Sequence, residues 1–427
     1  MFYTRKCGEI EESDFGSEQT LCGWLQDTRN LGGIAFLQLR DITGVIQLTL
    51  LKKKLGDENF KSWANINRES IILVRGIVKE NKEAPNGVEM LPDNIELMNE
   101  AETPLPLGVI DKIDSEIETR LNARYLDLRK TEIAANFQIR AAISGAVHKH
   151  LRREKFLEVQ TPKIIASATE GGTSLFEMKY FDKTAYLAQS PQLYKQMLMS
   201  GGLERVYEVG PAFRAEEHNT PRHLNEFISI DIEMSFADDD VVMGVMERLV
   251  ATAARAVSKE TEALKTLDVE PIDIELPLPR ITYDEAVEMA QGKVEWGEDL
   301  SMEATRAIAK QMNGFYFITK WPLSLKPFYI QPDEDPKYSK GFDFMYNEVE
   351  MTSGGQRVHD VNLLRERLKE QGLDPEGFNH YLDPFRYGMP PHAGWGLGLD
   401  RLSMIFAGAK NVRECVLFPR DRTRMTP

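Results

Sequence analysis

Thr103-Pro104-Leu105-Pro106-Leu107-Gly108 breaks the chain where neither a helix nor a central strand can cross. Each proline fixes its own backbone and biases the residue before it away from the helical region. The break divides 427 residues into two unequal parts. That length suits two or three domains with ample apolar surface for their cores. The sequence predicts a domain over residues 1–102, a linker and hinge over 103–130, and a larger domain over 131–427. The hinge is charged and helix-like from Arg120 to Arg129.

The first part reads as short strands between turn signals. Leu21 to Leu25, Ala35 to Arg40, Val45 to Leu51 and Ile71 to Val78 are apolar-rich. Asn30-Leu31-Gly32-Gly33, Asp41-Ile42-Thr43-Gly44 and Ala84-Pro85-Asn86-Gly87 punctuate them. Five or so strands with a helical stretch near Leu55 to Ala64 suit a closed OB-fold barrel, and equally any small antiparallel β domain. The second part opens with a helix, because Ile139, Ile143, Val147 and Leu151 recur at four-residue spacing. Thr282 with Glu285 forms a capping-box pattern at another helix start. The architecture expected is multi-domain α+β.

Composition narrows the partners and the compartment. No apolar run approaches the ~18 residues of a membrane span, and the first residues lack the apolar stretch of a secretion signal. Cys7, Cys22 and Cys415 lie far apart, which argues against a disulfide framework and suits a reducing cytosol. The formal charge of −15 excludes indiscriminate binding to nucleic acid. It leaves room for local clusters such as Lys52-Lys53-Lys54 and for aromatic stacking.

Four segments of the second part place charge and glycine where a simple core would not. In the first, a strand from Phe156 breaks at Pro162 and runs into a loop carrying Glu170-Gly171-Gly172. In the second, Arg214, Glu216, Arg222 and His223 share a loop between two strands; arginine's planar fork suits phosphate or carboxylate oxygens. Ser229, Asp231 and Glu233 then alternate with Ile230 and Ile232, so polar and apolar groups face opposite sides. In the third, Asp343, Glu348 and Glu350 lead into Ser353-Gly354-Gly355, a hard-oxygen set suited to Mg²⁺. In the fourth, Gly394, Gly396 and Gly398 allow close backbone approach before a helix opened by Arg401. No Gly-Lys-Ser/Thr follows and no βαβ unit begins there, so Walker and dinucleotide readings fail.

In this order the segments resemble the three motifs of the class II aminoacyl-tRNA synthetases. Pro162 marks the first, Phe213-Arg214-Ala215-Glu216 the second, and Gly396-Leu397-Gly398-Leu399-Asp400-Arg401 the third. Gln189-Ser190-Pro191-Gln192-Leu193-Tyr194-Lys195, Ile230 to Glu233 and Leu417 to Asp421 resemble the archaeal and eukaryotic-type aspartyl enzymes. The resemblance implies an OB-fold anticodon-binding barrel joined to a catalytic antiparallel sheet flanked by helices, working as a cytoplasmic homodimer. It implies ATP and Mg²⁺, L-aspartate, and tRNA-Asp as substrates and cofactors, with no membrane involvement.

The resemblance also implies roles for single residues. Arg214 holds the α-phosphate and Glu216 the adenine amino group, both with Arg401 as catalytic residues. His223 and Arg401 lie along the polyphosphate, Arg222 also belongs to the ATP site, Phe227 stacks on adenine, and Asp343, Glu350 and Ser353 hold Mg²⁺. For aspartate, Lys195 and Arg357 pair with the side-chain carboxylate, Asp231 and Glu170 meet the ammonium, and Gln192, Ser229, Ser353 and Gly354 complete the pocket. In the barrel, Phe36 and Gln47 read the middle anticodon base and Glu89 contacts an anticodon base; taken alone, Phe36 reads as a core residue. Two barrel positions that separate strict from relaxed family members hold Gln26 and Pro85. Proline supplies neither charge nor a backbone donor, which points to charging of tRNA-Asn as well and to a downstream amidotransferase. The rival readings are an asparaginyl enzyme, which has no use for Lys195, an ammonia ligase, which lacks the barrel, and a non-catalytic tRNA-binding paralogue, which would have lost the catalytic residues.

Overall fold

The computed structural model describes residues 2–110, 115–166, 175–217 and 220–427. Two compact units divide it, Met1–Ser115 and Glu116–Pro427. The helix-like stretch from Arg120 to Arg129 thus lies inside the second unit rather than between the two.

The first unit contains β1 (Glu18–Asn30), β2 (Ile34–Arg40), β3 (Val45–Leu51), α1 (Lys52–Ala64), β4 (Ile71–Glu80) and β5 (Val88–Asn99). They close into a barrel in the order β1-β2-β3-β5-β4. Period-two alternation drives this: Ala35, Leu37 and Leu39 of β2 point inward with Leu48, Val74 and Met90, while Phe36 and Gln38 point outward. Phe36 is only half-buried and lies outside the barrel core, so the solitary reading of it as core does not hold.

The second unit begins with α2 (Ile117–Asn122), α3 (Arg124–Asp127) and α4 (Thr131–Arg153), followed by β6 (Leu157–Glu158) and β7 (Ile164–Ile165). Then come β8 (Glu177–Tyr180), β9 (Lys183–Leu187), α5 (Gln192–Ser200), β10 (Arg205–Phe213), β11 (Glu226–Ser235), α6 (Asp239–Val257) and α7 (Thr261–Leu267). The rest comprises β12 (Arg280–Thr282), α8 (Tyr283–Met289), α9 (Met302–Ala309), β13 (Phe315–Thr319), β14 (Gly341–Tyr346), β15 (Val349–Gln356), α10 (Val361–Glu370), α11 (Asn379–Leu382), β16 (His392–Gly398) and α12 (Leu399–Phe406). Eight strands form one sheet in the order β12-β13-β14-β15-β16-β11-β10-β6. Its six central strands are antiparallel, as expected; both edges are parallel, β12 with β13 and β6 with β10. The edges differ because helices separate those paired strands in sequence, and a crossover returns a strand in the same direction.

The apolar stripe of α4 packs beneath this sheet: Ile139, Ile143, Val147 and Leu151 are fully buried with Ile230, Ile232 and Trp395. The Thr282–Glu285 capping box forms as the sequence predicts. Helix α3 is tied in by Arg124, only 1% exposed, whose guanidinium donates to the carbonyls of Glu414, Val416 and Leu417 at 3.0–3.1 Å and pairs with Asp127. Among the described residues no helix is long and apolar enough to cross a membrane.

Candidate active site

A cavity of about 380 Å³ opens over the centre of the large sheet, lined from β11, β14, β15 and β16. It gathers residues of the second, third and fourth segments, which the sequence scatters from Arg214 to Arg401. Lys195 lies just beneath it, and Glu170 falls outside the described residues.

The floor is a chain of buried charges. Arg357 Nε donates to Glu233 Oε1 at 3.0 Å, and Lys195 Nζ lies 3.6 Å from Glu233 Oε2. The same ammonium donates to Asp231 Oδ1 at 2.9 Å and to the Trp395 carbonyl at 3.0 Å, while Ser229 Oγ donates to Asp231 Oδ2 at 2.5 Å. All four ionic groups are at most 4% exposed, so cations and anions alternate with water excluded. Removing one would leave its neighbour as an uncompensated buried charge. Gln192 also lines the cavity, and its buried Nε2 has no partner among the described residues.

The glycines of β16 make this floor possible. Register sets Gly394 against Glu233 and Gly396 against Asp231. A Cβ on Gly394 would stand 2.2 Å from Glu233 Oε2, and one on Gly396 2.7 Å from Asp231 Oδ1. What the glycines admit is the carboxylates of the neighbouring strand. Glu233 was not among the site residues expected from the sequence, although its place in the Ser229, Asp231, Glu233 alternation was the signal for it.

Cations and an aromatic ring line the opposite arm. The Arg214 guanidinium sits 5.3 Å from the Phe227 ring centroid. Asn225, absent from the sequence expectations, fixes the loop carrying Arg214 and Glu216 by donating to both their carbonyls, at 2.7 and 3.1 Å. Arg401 donates to the Glu350 carbonyl at 2.9 Å, and Arg222 pairs with Glu348 at 3.2 Å. His223 Nδ1 lies 2.6 Å from Thr220 Oγ1. Burial and then the Arg401 charge hold its imidazole below the usual histidine range. Asp400 braces this arm from behind: it pairs with Arg140 of α4 and accepts the Ile228 N–H at 2.9 Å, so it joins helix α4 to the second and third motifs. Burial raises its carboxyl. Arg140 also escaped the sequence reading, since nothing local distinguishes it on a helix.

Asp343, Glu350 and Ser353 meet at the cavity's end, where Ser353 Oγ donates to Glu350 Oε1 at 3.1 Å. Two carboxylates and a hydroxyl suit a hard divalent ion that keeps water or phosphate ligands. Among the described residues no three or more His, Cys, Asp or Glu side chains gather as an all-protein cage. Lys326, which no spacing or motif singles out, donates to both Asp343 oxygens, at 2.7 and 2.9 Å.

The barrel's outer face collects the other expected residues. Gln47 Nε2 donates to Glu89 Oε2 at 3.4 Å, and Thr49 Oγ1 donates to the same oxygen at 2.5 Å. Burial raises the Glu89 carboxyl, but hydrogen bonds from Thr49, Lys79 and Asn81 outweigh it and hold it below its ordinary value. Gln26 is fixed between Gln38 and Arg40, each at 3.3 Å. Pro85 stands exposed at the start of a tight turn, Pro85–Gly87.

Comparison with known proteins agrees with this geometry. The family described as tRNA synthetases class II (D, K and N) matches residues 116–422. The chain belongs to that family. In this class II synthetase a second match, to the OB-fold nucleic acid binding domain, covers residues 19–98. The synthetase is 53% identical over 417 residues to the aspartate–tRNA(Asp/Asn) ligase of Archaeoglobus fulgidus, covering 96% of this chain and 97% of that one. It is 48% identical over 423 residues to the aspartate–tRNA(Asp) ligase of Thermoplasma acidophilum, covering 98% of each. Among solved structures it is similar to the asparaginyl-tRNA synthetase of Pyrococcus horikoshii bound to asparaginyl-adenylate, with TM-score 0.94 and 33% identity over 100% of both chains. The aspartyl tRNA synthetase of Entamoeba histolytica is also similar, with TM-score 0.87 and 34% identity over 97% of this chain and 91% of that one.

Proposed function

We propose that this synthetase activates L-aspartate with ATP and transfers it to tRNA-Asp, and to tRNA-Asn as well. The observation that carries the choice of amino acid is the buried Arg357–Glu233–Lys195–Asp231 chain. Its charges cancel one another before any substrate binds. When a substrate ammonium takes Asp231, Lys195 is released for the substrate's side-chain carboxylate, with Arg357 beside it. A neutral side-chain amide would leave that lysine buried without its counter-charge. Lys195 therefore argues for aspartate although an asparaginyl enzyme shares the fold.

Catalysis is positioning and charge stabilisation, with no covalent enzyme intermediate. A substrate α-carboxylate oxygen attacks the α-phosphorus, the bond to pyrophosphate breaks, and aspartyl-adenylate forms. The terminal 3′-hydroxyl of the tRNA then attacks the acyl carbon, releasing AMP and a proton. Arg214 holds the α-phosphate and the attacking carboxylate, Glu216 and Phe227 hold adenine, and Arg222, His223 and Arg401 line the pyrophosphate. Asp343, Glu350 and Ser353 hold Mg²⁺, which when bound neutralises phosphate charge. Glu170, Gln192, Ser229, Ser353 and Gly354 complete the aspartate pocket.

Residues 1–102 bind the anticodon, with Phe36 stacking on an unpaired base while Gln47 and Glu89 give hydrogen bonds. Pro85 presents no donor and Gln26 is held by Arg40 and Gln38, which supports relaxed reading of the anticodon. Aspartyl-tRNA-Asn then requires an amidotransferase partner. The protein works as a homodimer in the cytoplasm, in keeping with its three free thiols. Aspartate-dependent exchange of labelled pyrophosphate into ATP tests the activity; exchange driven by asparagine instead would overturn it. Labelled aspartate on purified tRNA-Asn transcript tests the second substrate, and failure there alongside good charging of tRNA-Asp would refute relaxed specificity.

A further inference from the structure

Lys326 has no task in the mechanism above, although it is 8% exposed and lines the cavity. Its ammonium faces both oxygens of Asp343, at 2.7 and 2.9 Å, so a divalent ion that takes that carboxylate must share it with the ammonium. Two cations sharing one carboxylate in a poorly hydrated cavity repel strongly. Without Lys326, Asp343 and Glu350 would face each other as two carboxylates separated only by the Ser353 hydroxyl. Lysine's flexible stem permits the ammonium to move. The Trp321 ring, whose centroid lies 4.0 Å from Nζ, stabilises the cation independently of Asp343.

We propose that Lys326 is the resident counter-ion of the metal-binding carboxylate, neutralising Asp343 before any substrate binds and passing to the polyphosphate when a divalent cation takes its place. The inference rests on Asp343 being a metal ligand, as in the reading above. It makes divalent-ion binding to the nucleotide-free enzyme weak and ties entry of the ion to entry of ATP.

The test is Mn²⁺ binding to the full-length protein without nucleotide, followed by electron paramagnetic resonance. K326M should bind Mn²⁺ about tenfold tighter than the parent or more, because a unit positive charge has left the site. K326R should bind as weakly as the parent. K326Q, which keeps a donor but no charge, replaces K326M if that variant does not fold. In pyrophosphate exchange, K326M should raise the KM for ATP about tenfold and leave the KM for aspartate unchanged. Equal Mn²⁺ affinity in the parent and the neutral variants overturns the proposal. The double variant D343N/K326M should lose the gained affinity, and if it keeps it the ion is not on Asp343 and the proposal fails through its premise. A protein silent in exchange but showing these Mn²⁺ differences would instead overturn the proposed activity alone.

Discussion

Replacing Gly396 by alanine asks whether the aspartate pocket depends on the empty side of β16. The backbone at Gly396 has no positive φ, so alanine meets no conformational penalty there. Its Cβ would lie 2.7 Å from Asp231 Oδ1 and 3.3 Å from Asp231 Cγ. Ordinary contact begins near 3.4 Å, so the carboxylate must retreat by about 0.7 Å. Asp231 is held on both oxygens, by Lys195 at 2.9 Å and Ser229 at 2.5 Å, and cannot retreat while keeping both. Misplacement by a fraction of an ångström at a positioning group costs roughly 10- to 100-fold, or about 1.4–2.7 kcal/mol of transition-state stabilisation. Aspartate-dependent pyrophosphate exchange should therefore lose that much in kcat/KM for aspartate, with the KM for ATP changed by less than about threefold. A folded Gly396→Ala protein within threefold of the parent for aspartate would refute the steric argument.

Other perturbations read different parts of the molecule. Lys195→Met strands Asp231 and Glu233 against a single cation; it should destabilise the second unit by about 3–5 kcal/mol in urea and abolish aspartate activation, whereas a stable, active variant would contradict the floor's charge pairing. His392 is fully buried, and desolvation, the largest influence, takes its imidazole down to about 4 from an ordinary 6.5. The unfolded chain binds this proton first, so the stability is intact above pH 6.5 and falls as pH drops towards 4, by about 3 kcal/mol in total. Urea midpoints across that range should slope less for His392→Gln than for the parent; identical slopes would exclude this residue as the source. Phe36→Ala should weaken tRNA charging by about 1–3 kcal/mol and leave pyrophosphate exchange untouched, and a parallel loss in exchange would show that Phe36 serves folding instead.

The sequence made visible those features whose cause is local. The four-residue spacing of Ile139 to Leu151, the Thr282–Glu285 box and the alternation in β2 each follow from one element's own periodicity. Strand β5 was less legible because Pro92, Asp93 and Asn94 interrupt it like a turn; the ladder tolerates them by a register shift opposite Gly76. Helix α12 starts at Leu399, two residues before the Arg401 expected from charge, because the strand's final glycine already serves as its N-cap. The motif residues were found as a set, but their supports were not. Lys326, Asn225 and Arg140 act on partners that are distant in sequence or lack a spacing rule, and only the register of β11 against β16 explains why Gly394 and Gly396 must be bare.

The Arg124 tether also sets an order of assembly during synthesis. Its carbonyl partner Leu417 lies 293 residues downstream, and Glu118 pairs with Arg424 across 306. Closing a loop of that length costs about 5 kcal/mol of chain entropy, incurred once for the whole group of contacts. Until segment 413–424 leaves the ribosome, Arg124 lacks these carbonyls and keeps only its pairing with Asp127 and its contact with the Phe137 ring. The barrel's core residues all lie within the first 115 residues, so it can mature while the rest is still being translated. The tie of α2 and α3 to the catalytic unit is thus completed only when the last dozen or so residues of that segment arrive.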